Sequence, residues 1–210
     1  MGGVSKPLIK LGNKTLLEKV VETFSNCKSV DEIIVVTKDA DAFAPLIKTD
    51  KPFSFAEGGK TRTESVTNGV KAAKKADFVC IHDCARPFIT VDDIEKLISE
   101  AIKTGASCAC TKVTDTIKYI SEEEKCFYTP KRDNLKAVQT PQIFRKDIFT
   151  VSRAKAQKDG FVSTDDTSVA EHAGFTVSYV ECSALNIKLT TAEDVKIAKA
   201  INFLEERGNI

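Results

Sequence analysis

The 210-residue chain predicts an α/β fold, because short apolar runs that suit buried strands alternate with segments of helical period. The strand candidates are Glu32 to Thr37, Phe78 to His82, Ser107 to Val113 and Thr176 to Glu181. Between them, Leu16, Val20, Val21 and Phe24 share one helical face, as do Val66, Val70 and Ala73, and then Ile94, Leu97, Ile98 and Ala101. Lysines and glutamates fill the opposite faces. The last helix is signalled by Thr191 as its cap, Asp194 in its first turn, and an apolar stripe of Ile197, Ala198, Ile201 and Leu204 expected to pack on the sheet.

With 42% hydrophobic residues, a chain of this length buries one substantial core, so residues 1–210 are expected to form a single domain. One stretch interrupts the alternation. Residues 115–142 have no long amphipathic period, but hold short β-like pieces around Ile117 to Ile120 and Phe127 to Thr129. The acidic segment Ser121 to Lys125 between them reads as a hairpin tip. Two readings stand: a projecting β-arm that grips a second subunit, or a solvated surface hairpin.

Lysine plus arginine (31) almost cancels aspartate plus glutamate (30), which excludes a global field drawing the protein to nucleic acid or an anionic membrane. The sequence lacks a long apolar span and the basic-then-apolar order of a secretory signal, so a soluble, cytoplasmic protein is expected. Its seven cysteines are scattered through apolar runs, where a reduced thiol behaves as a small hydrophobe.

Polar clusters fall where strands end, the place where open α/β sheets hold ligands. In Glu57-Gly58-Gly59-Lys60-Thr61-Arg62-Thr63-Glu64-Ser65, two glycines permit close backbone approach, and the following helix start offers amide donors for a base or phosphate. A plain strand-to-helix turn with a solvated Arg62 is the alternative. In His82-Asp83-Cys84-Ala85-Arg86-Pro87-Phe88, a carboxylate suits sugar hydroxyls or a divalent ion and a guanidinium suits a phosphate, unless the two simply pair. His82 reads better as a hydrogen-bonded structural residue than as a base. Thr114 to Lys118, Lys131-Arg132 and Gln139 to Gln142 flank the hairpin, and Ser163 to Thr167 and Asn186 to Thr190 form polar turns before helices. Each is either a ligand contact or an ordinary charged surface or cap. No zinc-ligand spacing, nucleophile elbow or Walker loop is present. Cations and amides without an obvious nucleophile suit phosphoryl or nucleotidyl transfer, in which positioning and charge neutralisation supply most of the catalysis.

Taken in order, Glu57 to Val66, His82 to Ile89, Thr114 to Lys118, the Arg132 to Phe144 run, Thr164 to Glu171 and Asn186 to Ala198 closely resemble the 2-C-methyl-D-erythritol 4-phosphate cytidylyltransferases of the non-mevalonate isoprenoid pathway. The resemblance runs from Lys6 to the C-terminal helix. It implies a Rossmann-like nucleotidyltransferase sheet with flanking helices, a β-arm that interlocks a homodimer, and CTP and a sugar-alcohol phosphate as substrates. It carries over Lys6, Arg132 and Lys188 as catalytic residues. CTP contacts fall on Gly58, Gly59, Lys60, Ser65, Asp83 and Cys84, the last replacing a more usual alanine. Contacts to methylerythritol phosphate fall on Asp83, Arg86, Thr116, Arg132, Thr164 and Lys188, with Thr116 and Arg132 reaching across the dimer. Mg²⁺ is expected to be bound mainly through CTP phosphates, with no dedicated protein metal ligands.

The family opens with a strand and a Gly-rich loop ending in Arg-Met, whereas this sequence begins at Met1-Gly2-Gly3, just beyond them. The expectation is a chain trimmed at an internal methionine, with neighbouring strands left unpaired and CTP binding weakened. Two alternatives to methylerythritol phosphate transfer stand beside it: a ribitol 5-phosphate cytidylyltransferase and a non-catalytic nucleotide-binding module. Thr164-Asp165-Asp166 and Asn186-Ile187-Lys188 favour the methylerythritol reading.

Overall fold

The computed structural model describes residues 5–208 other than Glu124, so Met1-Gly2-Gly3 and part of the expected hairpin tip lie outside the described residues. The strands are β1 (Lys10–Leu11), β2 (Lys14–Thr15), β3 (Ile33–Thr37), β4 (Phe53–Glu57), β5 (Phe78–Ile81), β6 (Ala106–Lys112), β7 (Tyr119–Ser121), β8 (Cys126–Tyr128), β9 (Lys136–Arg145) and β10 (Ser178–Glu181). The helices are α1 (Leu16–Asn26), α2 (Ala40–Phe43), α3 (Arg62–Ala72), α4 (Val91–Thr104), α5 (Lys146–Asp159), α6 (Asp166–His172) and α7 (Ala192–Glu206). Helix starts follow their capping residues. Thr15 and Glu18 form a reciprocal capping box at α1, and Thr191 and Asp194 do the same at α7.

The main sheet has the order β10-β6-β9-β5, with β10 parallel to β6 and β9 antiparallel to both of its neighbours. Alternating strands and helices would suit a parallel sheet, but the observed sheet is mixed. After the hairpin, the chain returns beside β6 without a helical crossover, and such a direct return pairs strands antiparallel. The expected 115–142 excursion divides accordingly: β7 and β8 form the hairpin, while Lys136 onward belongs to the sheet. Phe144 and Ile143 of β9 are fully buried, packed among residues that include Ala106, Cys108, Val79 and Phe149 on one side and Leu97, Ala101 and Ala109 on the other.

Strands β3 and β4 form a separate parallel pair. Among the described residues, β3 pairs only with β4, and β5 only with β9. A cavity of about 960 Å³ lies between the two sheets, lined by Ile33 to Val36 of β3 and by Phe78 to Ile81 of β5. Cys80 lines this space as an exposed thiol.

The last helix differs from its predicted stripe. Ala198 and Ile201 are buried against Leu11, Leu16, Phe88 and Leu189, while Ile197 and Leu204 are exposed. It covers the β1–β2 turn and the start of α1 rather than the sheet. Cys27, Cys80, Cys84, Cys108, Cys110 and Cys182 are free thiols. No helix among the described residues is long and apolar enough to cross a membrane. Because Phe144 is wholly enclosed between two strands and α5, Phe144→Ala should lower stability by about 3–5 kcal/mol, measured by urea unfolding. A loss below ~1 kcal/mol would show that the sheet centre collapses around the gap.

Candidate active site

Three loops meet above the sheet: the segment after β5, the buried middle of β9, and the loop between β10 and α7. Their junction is a hydrogen-bonded seam. The Asp83 amide donates to Thr140 Oγ1 at 3.0 Å, and the Asn186 amide group donates to Gln139 Oε1 at 3.0 Å and to the Thr140 carbonyl at 2.9 Å. Arg86 Nη1 donates to the Asn186 carbonyl at 2.8 Å, and the Leu189 amide to the Ala85 carbonyl at 2.8 Å. Gln139, Thr140, Gln142 and Asn186 are all buried, so each of these bonds satisfies a group that would be costly to leave unpaired.

His82 belongs to this seam. Its Nε2 lies 3.0 Å from the Arg86 carbonyl, which can only accept, so the ring proton sits on Nε2. Its Nδ1 then accepts from the Thr140 hydroxyl at 3.1 Å. Desolvation outweighs these partners and lowers its pKa to about 4, making the ring a neutral structural element, as the sequence reading favoured.

Above the seam lies a cleft of about 400 Å³, lined on its charged side by Arg62, Asp83, Arg86, Thr164, Asp165 and Lys188. Lys188 Nζ is 2.7 Å from Asp83 Oδ2. Burial raises the Asp83 pKa, but the Lys188 hydrogen bond and the charges of Arg62 and Lys188 outweigh it and hold the carboxyl below its usual range. Burial pulls the Arg86 pKa down, and its buried Nε has no hydrogen-bond partner. That Nε–H is a donor without an acceptor. Asp165 caps α6 and takes a hydrogen bond from Gln142 Nε2 at 3.0 Å, which ties the cleft floor to β9.

The glycine turn after β4 braces itself. Gly58 N–H donates to the Thr37 carbonyl at 2.9 Å, Gly59 N–H to Ser65 Oγ at 3.0 Å, and Lys60 N–H to Glu64 Oε2 at 2.7 Å. A side chain on Gly59 would meet the Cβ of Glu64 at 2.4 Å, so only glycine fits there. Within the turn the Glu64 carboxylate occupies the Lys60 donor and the Ser65 hydroxyl that of Gly59, and at the helix start expected to offer amides the Glu64 N–H is taken by Thr61 Oγ1.

Of the sequence-predicted residues, Asp83, Arg86, Thr164 and Lys188 come together in the cleft. Lys6 is exposed on a short turn at Lys6–Leu8 and does not line it, although Pro7 borders the apolar cavity. Cys84 also lines that cavity, with its thiol pushed up to about 12 by desolvation, so its side chain is a packing group here. Thr116 and Arg132 are exposed at the hairpin base, where Arg132 Nη1 donates to the Thr114 carbonyl at 2.9 Å. Arg62 was the residue undervalued in the sequence. Although its side chain is 37% exposed, it is paired, at 2.8 Å with Asp166 and at 3.5 Å with Asp83. The repeated acidic pair Asp165-Asp166 was the available signal, since a buried carboxylate needs a cation.

Among the described residues, no group of three or more His, Cys, Asp or Glu side chains is arranged to hold a metal ion. Asp83, Asp165 and Glu171 supply carboxylates to the cleft lining.

The buried neutral His82 sets an acid limit. Its folded pKa of about 4 lies below the ordinary 6.5, so the unfolded chain binds the extra proton first and stability falls as pH drops from 6.5 to 4. The loss is on the order of 3 kcal/mol. In urea unfolding at pH 7 and pH 4, the stability difference between wild type and His82→Gln should narrow at the lower pH. Parallel profiles would mean that His82 is not the buried titrating group.

Comparison with known proteins agrees with the sequence resemblance. A family model for 2-C-methyl-D-erythritol 4-phosphate cytidylyltransferase matches residues 1–203. The enzyme of that name from Bacillus licheniformis is 38% identical over 211 aligned positions, covering 98% of this chain and 91% of its own. That from Clostridium novyi is 41% identical, covering 94% and 88%. The crystal structure of 4-diphosphocytidyl-2C-methyl-D-erythritol synthase from Anaerococcus prevotii superposes with a TM-score of 0.88 at 33% identity, over 96% of this chain and 91% of that one. The Thermus thermophilus enzyme gives a TM-score of 0.79 at 27% identity, over 94% and 93%. The chain belongs to the 2-C-methyl-D-erythritol 4-phosphate cytidylyltransferase family.

Proposed function

We propose that Asp83, Arg86, Thr164 and Lys188 seat the alcohol phosphate in the reaction of this family, transfer of a cytidylyl group from CTP to 2-C-methyl-D-erythritol 4-phosphate. The observation that carries the proposal is the cleft above the β9 seam, where a carboxylate, a buried guanidinium edge and a lysine converge. Asp83 accepts hydrogen bonds from the polyol hydroxyls. Arg86 and Lys188 hold the phosphate, with the planar guanidinium matching two of its oxygens. A phosphate oxygen then attacks the α-phosphorus of CTP in line; the new P–O bond replaces the bond to the β-phosphate, and pyrophosphate leaves. Gly58, Gly59, Lys60 and Ser65 are proposed to read the nucleotide, which requires Glu64 to yield the Lys60 amide. Lys6 is proposed to neutralise the reacting phosphates. Mg²⁺ carried by the triphosphate adds charge neutralisation when bound.

The hairpin is proposed to join two subunits. Ile117, Ile120, Phe127 and Tyr128 are exposed on or beside it, a concentration of apolar surface that a short hairpin cannot bury alone. In that arrangement Thr116 and Arg132 at its base belong to the partner's cleft. The free thiols fit a reducing compartment, and we assign the enzyme to the cytoplasm.

With CTP and Mg²⁺, pyrophosphate release should be faster with methylerythritol phosphate than with ribitol 5-phosphate. Preference for ribitol phosphate would reassign the acceptor, and CTP binding without pyrophosphate release would point to a nucleotide-binding module. In sedimentation equilibrium, wild type should be dimeric and Phe127→Ser shifted toward monomer with its unfolding midpoint little changed. A monomeric wild type would leave the hairpin as solvated surface.

A further inference from the structure

Arg62 is the first residue of α3, directly after the glycine turn, and its guanidinium reaches two carboxylates. Nη1 donates to Asp166 Oδ2 at 2.8 Å, whereas Nε lies 3.5 Å from Asp83 Oδ1, a long contact at the limit of hydrogen bonding. The Asp166 side chain is wholly buried and is also paired with Arg153, whose own side chain is only 14% exposed. The Asp166 amide donates to Gln142 Oε1 at 3.0 Å, fixing the whole group to β9. One buried carboxylate held by two guanidiniums leaves a net positive charge, and Arg62 carries it to the cleft wall.

Asp83 therefore lies between two cations with unequal duties. Lys188, 42% exposed and anchored through a single Nζ, is free to turn. Arg62, 37% exposed, is held instead by its Nη1 bond to the buried Asp166. The reading above requires Lys188 to pair with a substrate phosphate, and that move strips Asp83 of its nearest cation. An 18%-exposed carboxylate without a countercharge is costly, so the move is opposed unless a second cation stays in place.

We propose that Arg62 is a positioning residue which holds Asp83 in place while Lys188 transfers from Asp83 to the acceptor phosphate. Asp166 and Arg153 clamp Arg62 for this role. The inference rests on the cytidylyl-transfer reading and deepens it: the glycine turn that precedes α3 is mechanically joined to the acceptor site through one side chain.

The test is steady-state kinetics with CTP and methylerythritol phosphate, with thermal unfolding in parallel. In Arg62→Gln, the KM for methylerythritol phosphate should rise by about tenfold or more while that for CTP changes by less than about twofold, because Lys188 is then Asp83's remaining cation. Asp166 keeps Arg153 in this variant. Arg62→Lys supplies a second arm if the glutamine variant does not fold: a point charge pairs with Asp166 but cannot bridge both carboxylates, so it too should raise the acceptor KM. The effects of Arg62→Gln and Asp83→Asn should not add, since each removes the same interaction. Wild-type turnover with an unchanged acceptor KM in both Arg62 variants, a larger rise in the CTP KM, or additive losses in the double variant would overturn the inference alone. Absence of wild-type turnover would overturn the transfer reading, and this inference with it.

Discussion

The cleft depends on a strand that looks unlike a strand. The middle of β9 places Gln139, Thr140 and Gln142 inside the protein, where their polar groups have no water and must bond to neighbouring loops. Thr140 holds the Asp83 amide and the His82 ring, Gln139 and the Thr140 carbonyl hold Asn186, and Gln142 holds Asp165 and the Asp166 amide. Three segments far apart in sequence are thereby fixed to one rigid element. An apolar β9 would pack as well, but the loops that carry Asp83, Arg86 and Lys188 would have nothing to register against.

Charge in the cleft follows from the same constraint. Each carboxylate near the seam is too buried to stand alone, and each has recruited a cation or amides: Asp83 with Lys188 and Arg62, Asp166 with Arg62 and Arg153, Asp165 with the Gln142 side chain and the Ser168 amide. These pairs satisfy one another. In the proposed reaction a phosphate competes for the same cations, so binding would exchange internal pairs for external ones.

Much of this was legible in the sequence. The runs from Glu32 to Thr37, Phe78 to His82, Ser107 to Val113 and Thr176 to Glu181 announced β3, β5, β6 and β10, and Thr191 announced α7. Strand β4 was missed because Ser54 and Glu57 break the apolar run that marked β3 and β5. Strand β9 was hidden because Pro141 and three polar residues contradict what a central strand usually contains. The α7 stripe misled because Asn202 replaces an apolar residue on the buried face, where its side chain takes the Lys19 ammonium at 2.7 Å. The cleft residues Asp83, Arg86, Thr164 and Lys188 were found through their motifs. Arg62 was undervalued, since its partner Asp166 lies 104 positions away; the acidic pair Asp165-Asp166 signals the need for a cation but not which one answers it.

The proposed role of the cations brought together on the β9 seam is to receive the acceptor's phosphate. A crystal structure of the protein with methylerythritol phosphate and CTP tests this directly. The acceptor phosphate should lie within hydrogen-bonding distance of Lys188 Nζ and the Arg86 guanidinium, with the Lys188–Asp83 pair opened. An acceptor phosphate bound elsewhere, with that pair intact, would contradict it.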